Sequence, residues 1–567
     1  MEINTKIFYG PNQFSKRPCV VFSLVKFRIE EKEKLSKNYL QCIDFFSTKY
    51  KFQNNIKNHH KIDKVLQFIC DVSLFILNYT RGDLSECGFN NTSDRTEFFI
   101  EFHEPKLTIR AVEIILNFIF KPKFENSSSI LNQFWDECRK QHPDFQAHAL
   151  ITFAKSKNLY FAPMGNRFWL YGMGKNSQIF FETSTIQDMN NNFRTDKLSC
   201  KLYFHNLGIP TPEYTIVKSY LEAIAAVKNI GFPCVIKPIN SGKGKGVTAN
   251  IQSLEQAQYA YSEASKFAKG SKEVLVEKHV HGTDYRLMTV NGKFIACIAR
   301  QAPYITGDGI NTVKNLINQQ INQFRTKNLY DSHFLVPVKI DRVVHEMLKA
   351  QNTKIDSIPE KGVKIILQPN DNISTGGTTE LIEHIHPKVI KDAEKILNNS
   401  TLHSLGIDYI TDDITKSPTE SAGNFIEINK IQAIATLLAT GYDVGRAGSY
   451  FFADFVQNIP IDLYIVQKEN IESFYNSYTN KNALFLPNIF IKEGKVTKIK
   501  HTHFTQVIKK VLSDTTLDSL DIIVSCDIVE NYGLPTEHIN EIYIERSCTS
   551  NKLLQMIENN NFRHNFI

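Results

Sequence analysis

The sequence predicts an α/β (α+β) fold, because apolar runs of strand character alternate with runs of helical spacing. Strands are predicted at 18–29 and 96–104, and helices at 64–79 and 107–120. The stretch at 271–309 is also rich in predicted strands. The 567 residues are enough for about three or four domains.

Composition and charge are those of a soluble globular protein. Hydrophobic residues make up 42% and charged residues 22% of the chain, and the net charge is +7. So mild a charge does not favour a nucleic-acid partner. No apolar run approaches the roughly 20 residues that span a membrane, and the N-terminus lacks the apolar core of a secretion signal. The ten cysteines form no C-x-x-C pair, so we expect a reduced, cytoplasmic protein without a zinc site or disulfides.

The first part of the chain has the pattern of an α/β domain without a recognisable nucleotide loop. The segment Gly10-Pro11-Asn12 predicts a turn. After an amphipathic helix that begins near residue 145, residues 168–172 and 177–182 are predicted to form a hairpin. The GMGKN string between these strands lacks the upstream glycine and the Ser or Thr of a phosphate-binding loop.

The stretch FPCVIKPINSGKGKGVT (232–248) carries the strongest chemical signal. Val235 and Ile236 predict a buried strand, in which Lys237 is costly to bury unless an anion meets it. Glycines in the following loop let backbone N–H groups approach a phosphate, and the loop lysines add positive charge. The chain has no G-x-x-x-x-G-K-[ST] motif, so this is not a Walker loop. A nucleotide-phosphate site and a solvated basic hairpin tip are both compatible with these residues.

Two arginines follow on a predicted hairpin whose turn is Asn291-Gly292. On a pleated sheet Arg286 and Arg300 can point to the same face, where they would suit a polyanion. The alternative is a pair of exposed arginines that form ion pairs with Glu277 and Asp284.

Side chains with oxygen atoms recur further along the chain. A loop at 372–377, dense in hydroxyl groups and glycines, could bind phosphate or carboxylate oxygens through its N–H groups. Glu427 and Asn429 lie two residues apart on a predicted strand and therefore face the same side, and Asp408 lies on another predicted strand. Hard oxygen ligands beside phosphates suit Mg²⁺, although an isolated E-x-N pair is common by chance.

Residues 450–567 alternate predicted strands, among them 520–529, with helices at 505–513 and 550–557. We find no catalytic constellation in this part of the sequence. Four of its residues are interpreted as ordinary strand and loop residues: His501, His503, Cys526 and Cys548.

In this order the motifs resemble those of the ATP-grasp carboxylate–amine ligases. Within that family they are most similar to the N-terminal and ATP-grasp portions of the cyanophycin synthetases, followed by the bifunctional glutathione synthetases. The resemblance covers roughly residues 1–450. It rests on the colinear order of these segments: YGPN (9–12), FWLYGMGKNSQIF (168–180), DKLSCKLYFHNLGIPTP (196–212), FPCVIKPINSGKGKGV (232–247), the strand-rich segment 276–317, NDNISTGGTTE (370–380), GIDYITDDI (406–414) and FIEIN (425–429).

The resemblance implies an N-terminal domain over 1–160, an ATP-grasp domain over 161–450 with a mobile lid at about 215–285, and a small C-terminal α/β domain over 451–567. It implies a ligase that uses ATP and Mg²⁺ (or Mn²⁺) to convert a carboxylate into an acyl phosphate. An amine then attacks the acyl phosphate to form an amide or isopeptide bond. The implied substrates are amino acids or peptides, and the implied assembly is a homo-oligomer with no nucleic-acid or membrane partner.

The resemblance also implies roles for individual residues. The ATP-binding residues would be Lys197, Lys237, Ser241, Gly242, Lys243, Gly244 and Gly246 at the phosphates, Glu277 at the adenine and Asp284 at the ribose. The metal ligands would be Asp408, Glu427 and Asn429. The catalytic residues that hold the acceptor carboxylate and its acyl phosphate would be Arg286, Arg300 and Ser374. The substrate-binding residues would be Asn372, Thr375, Gly376 and Gly377.

Three departures from the family's pattern stand out. Lys430-Ile431-Gln432 occupies the place of a small residue and Pro-Gly, and Gln368 occupies the place of an arginine. The Mur-ligase-like domain of cyanophycin synthetases has no counterpart in residues 451–567, so we do not expect this chain alone to polymerise Asp and Arg. Two alternatives stay open: a catalytically degenerate ATP-grasp protein that serves as a scaffold subunit, and a ligase whose second activity lies on a partner chain.

Overall fold

The structure is a computed structural model. It describes residues 2–25, 29–53, 61–91, 96–121, 124–191, 196–242, 244–268, 273–326, 338–369, 376–430, 432, 434–452, 456–477, 482–485, 489–499 and 504–567. The chain divides into two compact units. The first unit is Met1–Glu182 with Asp454–Ile567, and the second unit is Thr183–Ala453.

The elements are numbered in chain order. Those of residues 1–182 are β1 (Glu2–Phe8), β2 (Cys19–Val25), α1 (Ile29–Tyr50), α2 (Lys61–Asn78), β3 (Cys87–Asn91), β4 (Thr96–Glu101), α3 (Pro105–Phe120), α4 (Ser127–Gln141), α5 (Phe145–Ser156), β5 (Phe161–Gly165), β6 (Phe168–Tyr171) and β7 (Gln178–Phe181). Those of residues 183–453 are β8 (Ser184–Thr185), α6 (Ile186–Asn190), α7 (Lys197–Asn206), β9 (Tyr214–Val217), α8 (Tyr220–Ile230), β10 (Cys234–Pro238), β11 (Thr248–Ile251), α9 (Leu254–Phe267), β12 (Val274–Lys278), β13 (Thr283–Val290), β14 (Lys293–Gln301), β15 (Tyr304–Thr306), α10 (Val313–Thr326), α11 (Arg342–Ala350), β16 (Lys364–Ile366), β17 (Thr378–Ile382), α12 (Pro387–Ser400), β18 (Ser404–Thr411), β19 (Asn424–Asn429), α13 (Ile434–Leu438) and α14 (Val444–Phe452). Those of residues 454–567 are β20 (Ile461–Val466), α15 (Ile471–Ser477), β21 (Ala483–Phe485), β22 (Ile489–Lys492), β23 (Lys495–Lys498), α16 (Phe504–Leu512), β24 (Leu520–Ser525), α17 (Cys526–Tyr532), β25 (Glu541–Ile544), α18 (Asn551–Asn559) and β26 (His564–Phe566).

The first unit is built on a core that both ends of the chain share. Its N-terminal sheet has the order β1-β2-β4-β3, and its C-terminal sheet has the order β23-β22-β21-β24-β20-β25-β26. Side chains of β2 alternate between two cores, so that Val20 packs with helical residues such as Ile115, while Val21 packs with residues of the C-terminal sheet such as Leu463. Residues of the C-terminal segment therefore complete the core of the first unit. That residues 451–567 also form a domain of their own stays a prediction.

Most predicted elements of the chain are confirmed. Strands β2 and β4 and the hairpin of β6 and β7 are shorter than predicted, whereas helices α2 and α3 begin two or three residues earlier than predicted. The strand predicted at 520–529 is wrong beyond Ser525, because Cys526–Tyr532 is the helix α17. Asp527 lies in the first turn of this helix, where a negative charge is favourable. Gly533, with a φ of +87°, follows its last turn.

A buried histidine, His142, and a half-buried one, His103, predict that the first unit loses stability in acid. Burial lowers the pKa of His103 to about 4 and that of His142 to about 3. Each ring is therefore neutral when folded but takes up a proton on unfolding once the pH is below its ordinary pKa of about 6.5. Stability is thus lost as the pH falls from about 6.5 towards these lowered values, by about 2 kcal/mol for each ring between pH 7 and pH 5.

We expect His142→Gln to remove about 2 kcal/mol of this pH dependence, with His564→Gln on the edge strand as the control. Both tryptophans of the chain, Trp135 and Trp169, belong to the first unit, so urea unfolding followed by tryptophan fluorescence reports on that unit. If the free energy of unfolding of His142→Gln fell between pH 7 and pH 5 by as much as that of the wild type, His142 would not be a source of the acid sensitivity.

The second unit contains two larger antiparallel sheets and a small one. The first has the order β11-β10-β12-β9, and its apolar face is covered by α8 and α9. The second has the order β17-β14-β13-β18-β19, and its apolar face packs on α7 and α12. Strands β15 and β16 pair with each other. None of the described helices combines the length and the apolar character needed to cross a bilayer.

Candidate functional site

The Lys237 side chain meets an anion that belongs to the protein. In β10 and β12, Val235 lies opposite Glu277, so Glu277 and Lys237 share one face of the sheet. The Nζ atom of Lys237 lies 2.5 Å from Oε1 of Glu277. The two residues are 5% and 4% exposed, so this is a buried ion pair. The opposite face, with Ile236 and Val276, packs in the apolar core.

A second lysine, Lys201, contacts the same carboxylate. Its Nζ atom lies 3.0 Å from Oε2 of Glu277 and donates to Oγ1 of Thr211 at 3.0 Å. Lys201 is fully buried and was missed from the sequence. Its signal was its spacing from Lys197, since residues four apart lie on the same face of a helix.

Lys197 connects this cluster to the glycine-rich loop. It is the first residue of α7, and its Nζ atom donates to the carbonyl oxygen of Ser241 at 2.6 Å. The same atom lies 4.0 Å from Oε2 of Glu427. The loop itself turns at Gly244 and Gly246, which have φ values of +73° and +72°. These values favour glycine.

Burial and mutual contact change the pKa values of the cluster. Burial lowers the pKa of Lys197, and it lowers the pKa of Lys201 to about 8 despite the attraction of Glu277. Burial raises the pKa of Glu277, but Lys237 and Lys201 outweigh it, so its pKa lies below the usual value. The carboxylate is therefore held ionised between two ammonium groups.

The polar face of the five-stranded sheet carries both arginines. Arg286 lies opposite Asp408, and Asp284 lies opposite Arg300. The Nε atom of Arg286 is 3.2 Å from Oδ1 of Asp408, and Nη2 of Arg300 is 3.4 Å from its Oδ2. Nη2 of Arg300 also lies 2.6 Å from Oδ2 of Asp284. This register puts Arg286 and Arg300 on one face, as expected, and Gly406 leaves room for Arg286, whose Nη1 would lie 2.7 Å from an added Cβ.

A β-bulge places Glu427 on the same face. Asp408 pairs with Glu427, but the next residue, Tyr409, pairs with Phe425, so one extra residue is inserted in β19. Phe425 thereby turns into the apolar core, while Glu427 and Asn429 turn to the polar face. Without the bulge Phe425 and Glu427 would point to the same side.

The predicted metal ligands fit a hard cation in part. Glu427 and Asn429 lie on one strand beside Asp408, and Oδ1 of Asp408 and Nδ2 of Asn429 are buried without a hydrogen-bond partner among the described residues. Asp408 is already within reach of two guanidinium groups. The described part of the chain has no group of three or more His, Cys, Asp and Glu that could hold a metal ion alone. Such a site would thus rely on phosphate oxygens and water for its other ligands.

Several predicted residues lie outside the described part of the chain, namely Lys243, Asn372, Ser374 and Thr375. Gly376 and Gly377 are described, and Gly376 has a φ of +99° at a position where an added Cβ would lie 2.5 Å from Cγ2 of Val338. Ser241 and Gly242 lie on the loop that Lys197 contacts.

Two residues that depart from the family's pattern, Lys430 and Gln432, form hydrogen bonds within the protein. Gln432 is fully buried, and its Nε2 atom donates to the carbonyl oxygens of Thr289 and, at 2.7 Å, of Leu405. Lys430 donates from Nζ to the carbonyl oxygen of Asn191 at 2.9 Å. Both side chains are thus occupied in bonds to the backbone.

Comparisons with known proteins show what this part of the chain is similar to. Residues 202–292 match the family model described as the ATP-grasp domain. The match includes Lys237, Glu277 and Arg286.

The chain is similar to cyanophycin synthetases, and the predicted resemblance is thereby confirmed. It is 34% identical over 253 residues to the cyanophycin synthetase of Crocosphaera subtropica, which covers 44% of this chain and 29% of that protein. It is 29% identical over 303 residues to the cyanophycin synthetase of Trichormus variabilis, with 53% and 33% covered. The chain therefore matches only about a third of the length of these relatives.

Proteins of glutathione biosynthesis also match. The chain is 29% identical over 240 residues to the glutathione biosynthesis bifunctional protein GshAB of Streptococcus agalactiae, with 41% of this chain and 32% of that protein covered. A solved bifunctional glutathione synthetase from Pasteurella multocida aligns with a TM-score of 0.40 and 20% identity, over 59% of this chain and 49% of that one.

Proposed function

We propose that this protein is an ATP-dependent ligase that joins a substrate carboxylate to an amine. The observation that carries the proposal is the position of Lys197. Its Nζ atom contacts the glycine-rich loop at Ser241 and also lies beside Glu427, a predicted metal ligand. Lys197 and Lys237 would bind the phosphates of ATP, and the glycine-rich loop would close over them. Asp408, Glu427 and Asn429 would hold Mg²⁺ or Mn²⁺, which neutralises charge on phosphate oxygens when bound.

Arg286 and Arg300 would act on the acceptor side. A carboxylate is a poor electrophile, so it first attacks the γ-phosphate of ATP, which releases ADP and leaves an acyl phosphate. The amine then attacks the acyl carbon, and phosphate leaves. Positioned guanidinium groups favour both steps because they stabilise negative charge where it develops. Arg286 supports this role because its Nη1 atom is buried without a hydrogen-bond partner among the described residues.

Two carboxylates of the site are proposed to contact the nucleoside part of ATP. Glu277 would approach the adenine, and Asp284 the ribose. In this structure the Glu277 carboxylate contacts Lys237 and Lys201, and Asp284 contacts Arg300. Each carboxylate therefore also serves as the counterion of a cation in the site.

Amino acids or peptides are the proposed substrates, because the similar proteins are named as cyanophycin synthetases and as a bifunctional protein of glutathione biosynthesis. The purified chain, incubated with ATP, Mg²⁺ and pooled amino acids, is expected to release phosphate and to form amide products that mass spectrometry identifies. Failure to bind ATP in calorimetry would refute the ligase. ATP binding without turnover on any substrate would favour the scaffold subunit, for which Gln368 and Lys430 are the motivating departures.

The metal site gives a separate prediction. Glu427→Gln removes one anionic ligand, so we expect the Mg²⁺ concentration for half-maximal phosphate release to rise at least about tenfold. Binding of Mn²⁺, followed by electron paramagnetic resonance in the presence of ATP, should weaken to a similar extent. Glu255→Gln, at an exposed position on α9, is the matched control. Equal Mn²⁺ binding in the two variants would contradict the assignment of Glu427.

A further inference from the structure

A cavity of about 630 Å³ lies within the first unit, and none of its lining residues belongs to the candidate site described above. Its volume is in the range of small-molecule sites. Both ends of the chain contribute to its wall, which is mainly polar. The residues that matter here are Lys16, Arg17, Glu86, Glu537, His538 and Asn561.

His538 is the most unusual group in this wall. It is 9% exposed, yet neither of its ring nitrogens has a hydrogen-bond partner among the described residues. Buried polar atoms are normally paired, so an unpaired ring in a cavity wall points to a ligand. Burial lowers the pKa of His538 to about 4, so at neutral pH the ring offers one donor and one acceptor.

Arg17 and Glu537 form an ion pair beside this ring. Nη1 of Arg17 lies 2.6 Å from Oε1 of Glu537, and the same oxygen is 3.7 Å from Nε2 of His538. A guanidinium group has five N–H donors, and this pair uses one of them. Arg17 also lies over the ring of Phe161, at 5.6 Å from its centroid, which fixes the plane of the guanidinium.

Glu86 provides a second carboxylate. Its Oε2 atom accepts from the backbone N–H of Lys16 at 2.9 Å and from the hydroxyl of Ser15. Burial raises the pKa of Glu537 to about 7, against the attraction of Arg17, so an ammonium group beside it would favour its ionised form. The wall thus presents cationic donors and carboxyl groups together, and contacts within the protein hold Arg17, Glu86 and Glu537 in place. A simple anion would be repelled by the two carboxylates, and a simple cation by Lys16 and Arg17.

We propose that this cavity is a second ligand site, which binds a small zwitterion of the amino acid type. The ligand's carboxylate would lie towards Arg17 and Lys16, and its ammonium group towards Glu86 and Glu537. The His538 ring would hydrogen-bond to a polar atom of the ligand. The inference does not rest on the ligase activity, because it uses only residues of the first unit.

The test is calorimetry of the full chain, without nucleotide, against each proteinogenic L-amino acid and glycylglycine. Acetate and methylammonium serve as half-ligands. The double variant Arg17→Met/Glu537→Gln removes both charges, so that neither is left buried and unpaired. Arg110→Met/Glu113→Gln makes the same changes in an exposed ion pair of α3 and is the matched control. His538→Phe keeps a ring of similar size and serves as a second probe, and circular dichroism verifies the fold of each variant.

We expect at least one amino acid or the dipeptide to bind to the wild type and to the control. In the double variant and in His538→Phe its affinity should fall at least about tenfold. Absence of binding by every zwitterion, or binding that persists in both test variants, would overturn the proposal. Equal binding of acetate alone would also overturn it, because the cavity would then be an anion site.

Discussion

Replacing Glu277 by glutamine is expected to lower the free energy of unfolding of the second unit by about 3–5 kcal/mol. The change keeps the shape of the side chain but leaves Lys201 and Lys237 without their shared counterion. Lys201 is fully buried and Lys237 is 5% exposed, so water cannot replace the lost charge. An uncompensated buried charge is among the largest effects that a single substitution produces.

A second substitution should rescue part of this loss. In the double variant Lys201→Met/Glu277→Gln only one lysine remains to be desolvated, so we expect about half of the stability to return. Because both tryptophans lie in the first unit, the measurement is hydrogen exchange of peptides that cover β10 and β12.

The matched control is Glu346→Gln, in an exposed ion pair with Arg342. It should change stability by no more than about 1 kcal/mol, since exposed pairs contribute little. If Glu277→Gln were no more destabilising than this control, the cluster would not be the buried counterion system that the distances indicate.

Much of the site was predictable because its residues follow local rules. Lys237 in an apolar strand required an anion, and Glu427 and Asn429 were placed on one face by their spacing. The hairpin at Asn291-Gly292 predicted that the two arginine-bearing strands pair, but the turn alone does not set the final register. A bulge at Met288–Thr289 shifts it by one residue, and without that shift Arg300 would lie opposite Thr283, on the other face from Arg286.

The rest depended on contacts between distant segments. The anion that contacts Lys237 is the side chain of Glu277, forty residues later in the chain. No pattern in the sequence around Lys237 indicates that its partner belongs to the protein. The pairing of Arg286 with Asp408 follows from the register of β13 with β18, which lie far apart in the chain. The bulge that turns Glu427 away from the apolar core leaves no mark in the pattern, since Phe425 and Glu427 read as same-face residues.

The core that the N-terminal and C-terminal segments share in the first unit also could not be predicted from the sequence. The apolar strand β24 is buried on both faces, so its sequence indicates only that it is covered, as does the apolar face of β20. What covers them includes Val21 and Leu170 from the N-terminal segment, hundreds of residues away. Composition and spacing carry no information about such a partner.

Lys237→Met is expected to reduce kcat/KM for ATP-dependent phosphate release by about a thousandfold or more. Methionine keeps much of the length and apolar stem of lysine but removes the charge that would meet the phosphates. Because Glu277 would still contact Lys201, its carboxylate stays paired and the fold should persist. The loss would therefore be one of chemistry and nucleotide binding rather than of folding.

The experiment separates these contributions by pairing kinetics with calorimetry of ATP binding and circular dichroism. Lys218→Met removes a lysine that is exposed and pairs with Glu273 at 3.2 Å, so it should leave the rate unchanged within about twofold. A Lys237→Met variant that is folded and turns over at the rate of Lys218→Met would show that the buried pair is structural only. The phosphate site would then have to rest on Lys197, whose contact with the loop at Ser241 is independent of Lys237.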